Sequence, residues 1–206
     1  MGEETKRGRG RPRTFNRERT IALAMDSYWK EGVQALSLNE VCRRANVSKP
    51  ALYREFDDED GLMAAVLVSY RELLLVPFLD ALELELPFAD VMEMLIVAMT
   101  SDRGAPTGCL FTEMRLARSH LGPVTEARLA SIELERRRAM EACYQRALQR
   151  GEVDPVTSPE LASRYLDTQF TALLIQMGMG EPPETVQAQT RMALRVLRAA
   201  PAGGEA

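Results

Sequence analysis

The sequence has 206 residues, 46% hydrophobic and 27% charged, a balance that allows one or two hydrophobic cores and excludes disordered and fibrous classes. Three cysteines and one histidine give no basis for a disulfide framework, a metal cluster or a Ser/His/Asp relay, so no enzyme, metal or cofactor is expected. The net charge of −4 conceals an asymmetry: residues 1–56 carry twelve Lys and Arg against seven Asp and Glu, about +5, and the remainder about −9, as suits a protein of which only one end meets a phosphate backbone.

In chain order, residues 1–13 are polar, Gly-rich and Arg-rich and read as a flexible basic arm. A first helix opens near Asn16, with Ile21, Ala24, Met25 and Tyr28 at i, i+3, i+4 and i+7, Trp29 beside that stripe, and Gly32 as its stop. Ser37-Leu38-Asn39-Glu40 has the form of a capping box, in which the Ser37 hydroxyl accepts one free backbone N–H and the Glu40 carboxylate another. The helix opened there buries Val41, Cys42 and Ala45 and ends at Asn46, a residue type that tolerates left-handed backbone. After the turn Asn46-Val47-Ser48, Ser48 caps a third helix with Pro50 in its first turn and Leu52 and Phe56 inward.

Residues 61–79 read as a longer helix stopped around Pro77, and 88–100 as the next, with Val91, Leu95, Ala98 and Met99 on one face. A loop at 101–108 precedes helices at 109–118 and 124–150; along the latter, Leu129, Ile132, Arg136, Ala139, Met140 and Cys143 lie near an apolar seam. Gly151 ends it, and helices at 159–179 and 184–200 follow on either side of Gly180-Glu181-Pro182-Pro183. No period-2 alternation supports a strand, so the fold class is all-α with about nine helices. The expected organisation is an arm at 1–13, a helix-turn-helix domain at 14–60, a second helical domain at 61–200 and a tail at 201–206. No stretch approaches the roughly 20 uninterrupted apolar residues of a membrane-spanning helix, and the N-terminus is charged where a signal peptide is apolar, so a cytoplasmic protein without a membrane partner is expected.

The two short helices about the tight turn have helix-turn-helix geometry, the second turning Lys49, Ala51, Tyr53 and Arg54 away from Leu52 and Phe56. A helix N-terminus in a major groove brings its first residues to base edges: Lys49 and Arg54 suit guanine or phosphate, the Tyr53 hydroxyl a phosphate, and Ala51 a thymine methyl. An ordinary surface helix pair is the alternative; the basic helix ends and the basic arm weigh against it. Arg9-Gly10-Arg11-Pro12-Arg13 has the chemistry of a minor-groove arm, extended by proline and aimed by arginine. The candidate DNA-binding set is Arg9, Arg11, Arg13, Ser37, Asn39, Ser48, Lys49, Ala51, Tyr53 and Arg54.

Gly10-Arg11-Pro12-Arg13, Tyr28-Trp29-Lys30-Glu31-Gly32, Leu36-Ser37-Leu38, Val41, Ala45, Asn46-Val47-Ser48-Lys49, Leu52-Tyr53-Arg54-Glu55-Phe56 and Leu62 together resemble the N-terminal domain of the TetR/AcrR family of regulators over residues 10–70. The resemblance implies helices one to three as the DNA-binding domain, helix four as a lever, and a C-terminal ligand and dimer domain whose last two helices form a four-helix bundle with a second copy. Thr107-Gly108-Cys109-Leu110 is similar to a Gly-Cys-Leu element of part of the family. Two departures stand out: Asn46 replaces the usual turn glycine, and Glu59, within Asp57-Asp58-Glu59-Asp60, replaces a lysine that the family sets against a phosphate. Four adjacent acids suit a helix N-terminus but repel a DNA backbone.

The function expected is a ligand-responsive repressor binding a palindromic double-stranded DNA operator as a homodimer; a DNA-binding architectural or maintenance protein without an effector is the alternative. An apolar or aromatic small-molecule effector is expected between helices four and eight, with candidate contacts Met92, Leu95, Met99, Cys109, Phe111, Met114, Met140, Tyr144 and Phe170, although methionine at helical spacing is also ordinary core. Cys109, after a glycine at a helix start, reads either as a reactive thiol or as a small buried residue. The dimer seams are expected at Leu161, Tyr165, Leu173 and Met177 on one helix and Val186, Ala193, Leu194 and Leu197 on the other.

Overall fold

In the computed structural model the described residues are 15–102, 106 and 108–199. Among them the chain forms ten α-helices: α1 (Arg17–Glu31), α2 (Leu38–Ala45), α3 (Lys49–Phe56), α4 (Glu59–Tyr70), α5 (Val76–Glu83), α6 (Phe88–Thr100), α7 (Leu110–Leu116), α8 (Pro123–Gln149), α9 (Pro159–Gly178) and α10 (Pro183–Leu194). Two short 3₁₀ turns, Arg118–His120 and Arg195–Leu197, follow α7 and α10, and the only extended pairing among the described residues is an isolated antiparallel bridge between Val153 and Arg198. The fold is all-α.

The helix starts follow from capping chemistry. Asn16 Oδ1 accepts from Arg19 N at 2.9 Å, Asp58 Oδ1 from Gly61 N at 2.8 Å and Ser158 Oγ from Leu161 N at 3.2 Å, each satisfying an N–H that a helix's first turn leaves without a partner. Proline occupies the first turn of α3, α8, α9 and α10, where its missing N–H costs nothing.

Pro77 does not end the fourth helix as expected. A π-helical segment, Arg71–Leu75, joins α4 to α5 without a break. The wider π turn accommodates a residue that lacks an N–H and whose ring crowds the preceding turn, so proline deforms the helix and leaves it continuous. The resulting 25-residue helix, Glu59–Glu83, is long and apolar enough by length and composition alone to cross a membrane, but Arg71, Glu72 and Asp80 interrupt its apolar run and half of its most apolar stretch is buried inside the fold. Within it, Arg71 is ion-paired with Glu135 of α8 and with Glu72. At the chain's other end, α10 gives way to the 3₁₀ turn after Leu194, short of the expected 200.

Two hydrophobic clusters hold the helices. One joins Ile21, Ala24 and Tyr28 of α1, Val41 of α2, Leu52 and Phe56 of α3, Leu62, Val66, Leu67 and Tyr70 of α4, then Phe111 and Met114 of α7 and Leu129 and Ile132 of α8. The other joins Phe78 and Leu82 of α5, Leu95 and Ile96 of α6, Met140 and Tyr144 of α8, Phe170 and Leu173 of α9, and Val186 and Leu194 of α10. The helix-turn-helix core therefore continues past residue 60, through α4 into α7 and α8.

Candidate nucleic-acid interface and internal cavity

The α2–α3 unit is built by local chemistry. Ser37 Oγ accepts from Glu40 N at 3.3 Å and Ser48 Oγ from Ala51 N at 3.3 Å. Asn46 closes α2 at φ 55°, ψ 46°, the left-handed geometry in which a short polar side chain is tolerated. The second half of the expected capping box does not form, because Glu40 turns to two arginines instead. It accepts from Arg43 Nε at 2.8 Å and Arg44 Nε at 2.7 Å, and these bonds hold its carboxyl down to about 2. Arg44 also pairs with Glu31 and reaches Ser27 Oγ at 3.2 Å, locking α2 against α1.

This scaffold buries Leu52 and Phe56 and leaves Lys49, Tyr53 and Arg54 exposed on α3, with Ser37, Asn39 and Ser48 also exposed and Ala51 half-buried. The Lys49 ammonium stands 5.6 Å from the Tyr53 ring centroid. Arg17 pairs with Glu55 at 3.0 Å and lies 5.3 Å above the Phe56 ring, tying the start of α1 to α3. Arg9, Arg11 and Arg13 lie outside the described residues, as does Thr107.

The four consecutive acids have separable roles. Asp57 ends α3 at φ 67° and Asp58 caps α4, while Asp60 reaches across to α8, where its carboxylate accepts from Val124 N at 2.8 Å and Thr125 N at 3.0 Å. Burial works to raise the Asp60 carboxyl, but the bonds from Thr125 and Val124 outweigh it and the net shift is downward. Gly122 is required for this approach, since a Cβ there would stand 2.3 Å from Asp60 Cγ. Thus the charge of Asp60 meets the positive end of the α8 dipole, and Glu59 is left as an exposed acid on this edge.

Behind α1 and α4 lies a cavity of about 530 Å³, within the size range of small-molecule sites. Of the nine residues expected to contact a ligand, Leu95, Met99, Cys109 and Phe111 line it. The other five, Met92, Met114, Met140, Tyr144 and Phe170, correct the expectation: they are buried in the two cores, with Tyr144 Oη donating to Asp154 O at 3.0 Å and Phe170 edge-on to Phe78 at 5.7 Å. Helical periodicity marks the inward face of each helix, but packing decides whether that face meets another helix or the cavity. The sequence reading missed Trp29, Tyr70, Phe78, Arg136 and Leu174, which also line the cavity, as does Met177. Arg136 left a signal, a charge on an otherwise apolar seam; Trp29, on α1, left none. Cys109 is 5% exposed and accepts from Tyr70 Oη at 3.1 Å.

Residues 21–66, from within α1 to within α4, match the description "Bacterial regulatory proteins, tetR family". The chain is 31% identical over 109 residues to the HTH-type transcriptional repressor ComR of Escherichia coli (strain K12), covering 50% of this chain and 51% of that protein. It is 32% identical over 107 residues to the repressor BdcR of the same organism, covering 50% and 54%. The chain thus spans about half the length of these curated relatives. Over residues 21–66 the chain is similar to the tetR family of bacterial regulatory proteins. Its fold agrees over a longer span with that of a cysteine mutant of the TetR family transcriptional regulator CifR complexed with 26-bp double-strand operator DNA, at TM-score 0.76 and 23% identity, covering 91% of this chain and 100% of that one.

The last two helices distribute the expected dimer residues unevenly. Leu173, Val186, Leu194 and Leu197 are buried in the protomer's own core, Met177 lines the cavity, and Tyr165 donates to Ala193 O at 2.9 Å. A side chain already buried within one copy has no surface left for another, so Leu173, Val186, Leu194 and Leu197 are corrected, whereas Tyr165, Met177 and Ala193 are half-buried and Leu161 is exposed. The large apolar side chains that α9, α10 and the turns after them expose are Leu161, Ile175, Met179, Met192 and Val196.

Proposed function

We propose that the protein is a ligand-responsive transcriptional repressor that binds a palindromic operator as a dimer, α3 entering the major groove and the cavity holding an effector. The observation that carries this reading is the exposed set Lys49, Tyr53 and Arg54 along a capped eight-residue helix, on a core continuous with α4. Lys49 and Arg54 serve base edges or phosphates, Tyr53 a phosphate, and Ala51 leaves room for approach; Ser37, Asn39 and Ser48 flank them. The arm at 1–13, with Arg9, Arg11 and Arg13, adds contacts in the adjacent minor groove. Pairing of α9 and α10 with those of a second copy, through Leu161, Ile175, Met179, Met192 and Val196, sets the two α3 helices for successive major grooves about 34 Å apart. A place in the cytoplasm, with DNA as partner, follows from this reading.

The cavity favours this reading over that of a maintenance protein, which has no use for one. An effector acts only if it binds one inter-helix geometry better than the other, and the cavity wall includes Tyr70 of α4, which packs on α3, and Trp29 of α1, which is tied to α3 through Arg17 and Glu55. Genome-wide pull-down of bound DNA supplies the operator, and fluorescence anisotropy then measures its affinity. Lys49→Ala with Arg54→Ala is expected to weaken binding at least tenfold and reduce the salt slope by up to about two. A full chain with no affinity for any double-stranded fragment at low ionic strength would overturn the reading.

A further inference from the structure

Three buried side-chain nitrogen or oxygen atoms among the described residues lack a hydrogen-bond partner: Tyr28 Oη, Trp29 Nε1 and Arg136 Nε. Two of these residues, Trp29 and Arg136, line the cavity, and both orphan atoms are N–H groups that can only donate. Buried donors are nearly always satisfied, so a pair of them in one cavity calls for acceptors from outside the chain.

Arg136 is 4% exposed, and its side chain lies among aromatic rings, the guanidinium 5.4 Å from the Phe78 centroid and 5.0 Å from that of Phe111. Its Nη1 faces Asp167 Oδ1 at 3.1 Å, but the other oxygen of Asp167 accepts from Arg115 Nη2 at 2.8 Å. One carboxylate thus serves two guanidiniums. Arg115 has a second acid in Glu133, at 2.9 Å, which is itself shared with Arg118. Arg136 is the inner end of this ladder, with a half share of one acid and a free N–H. Exposed Asp102 and Glu181 stand at the rim, where solvent screens them, and with Asp167 they oppose a second negative charge on any occupant. The remaining wall is mostly apolar, with Tyr70, Thr100, Ser101 and Cys109 as its other polar side chains.

We infer that the cavity binds a small organic monoanion, a carboxylate on an aromatic or aliphatic body, with its anionic group on Arg136 and its body held against Trp29. Guanidinium and carboxylate match in donor geometry and charge, and the body fills the apolar wall left by Phe78, Phe111 and Leu174. Trp29 belongs to α1 and its ring meets that of Tyr70 of α4 edge-on at 5.1 Å, so an occupant touches the helix-turn-helix unit directly as well as through α4. That this molecule acts as an effector rests on the regulator reading; the anion site does not.

Trp29 is the only tryptophan in the sequence, so its emission reports occupancy of the cavity in the full chain. The probes are 3-phenylpropanoate and octanoate, each titrated beside its neutral amide at pH 7, with calorimetry as a second readout. Both acids are expected to shift the emission saturably and to bind at least tenfold more tightly than their amides. Arg136→Gln is expected to bring that ratio close to one and Arg136→Lys to restore part of it, with circular dichroism checking that each variant is folded. Should both variants unfold, the wild-type acid-to-amide ratio decides. Amides as tight as acids, or no saturable binding of either acid at millimolar concentration, would overturn the inference. Selective acid binding by a chain without DNA affinity would sink the regulator reading and leave the anion site standing; DNA binding with no preference for acids would do the reverse.

Discussion

The helix-turn-helix unit and the cavity are built in opposite ways. Lys49, Ala51, Tyr53 and Arg54 lie within one short helix, positioned by caps at Ser37, Asn46 and Ser48 that sit within a few residues of the groups they satisfy. The cavity wall draws Trp29 from α1, Tyr70 from α4, Phe78 from α5, Met99 from α6, Phe111 from α7, Arg136 from α8 and Met177 from α9. A surface site of the first kind needs a rigid local frame; an internal one needs every helix in register. The two meet at α4, whose buried face belongs to the amino-terminal core while Tyr70 at its end lines the cavity.

If the regions were independent, a defect in that shared helix would disturb one and spare the other. Leu67 is fully buried in the amino-terminal core, and Leu67→Ala is expected to cost about 2–5 kcal/mol through lost burial and the cavity left behind. Urea unfolding followed both by far-ultraviolet dichroism and by Trp29 emission tests this: coincident transitions shifted together mean one cooperative unit, and a shift seen by only one probe would separate the regions. A smaller effect is expected at the second link. Asp60→Ala removes the carboxylate that accepts from Val124 N and Thr125 N, and the loss of such a cap costs about 0.5–2 kcal/mol. Its urea midpoint should fall less than that of Leu67→Ala, and an unchanged midpoint would mean that the α4–α8 contact carries no stability.

The same contrast explains what the sequence disclosed. The starts of α1, α2 and α3 and the left-handed Asn46 were legible because each depends on neighbours three or four residues away. The failures arose where a distant group competed. Glu40 left its capping role for Arg43 and Arg44, a choice that depends on α1 presenting Ser27 and Glu31 beside Arg44. Pro77 should have stopped a helix, but a π segment absorbed it. Asp60 read as one of four repelling acids because nothing in its neighbourhood announces Gly122 or the start of α8, 60 and more residues on. Met92, Met114, Met140, Tyr144 and Phe170 were placed inward correctly, yet periodicity carries no depth. Arg136 was visible only as an anomaly, since a charge on an apolar seam demands a reason that the sequence alone does not supply.

The smallest expected effect sharpens the comparison from the amino-terminal side. Hydrogen bonds from Arg43 and Arg44 hold the folded Glu40 carboxyl near 2, against an ordinary value of 4.5, and Arg44 holds that of Glu31 below its ordinary value as well. A carboxyl depressed by folding contributes stability that is complete above the unfolded value and is lost as the pH falls toward the folded one. The α1–α2 lock should therefore be intact at pH 6 and weaken between about pH 4.5 and 2. Glu40→Gln lacks the titrating group, so its thermal midpoint should lie below that of the wild type at pH 6 and converge with it as the pH approaches 2. Glu31 is exposed and Glu40 only half-buried, so the gap should be small, but its sign and its closing with acid are fixed by the linkage. A gap that stays constant across that range would show that Glu40 acts by shape alone, and the frame beneath Lys49, Tyr53 and Arg54 would then owe nothing to its charge.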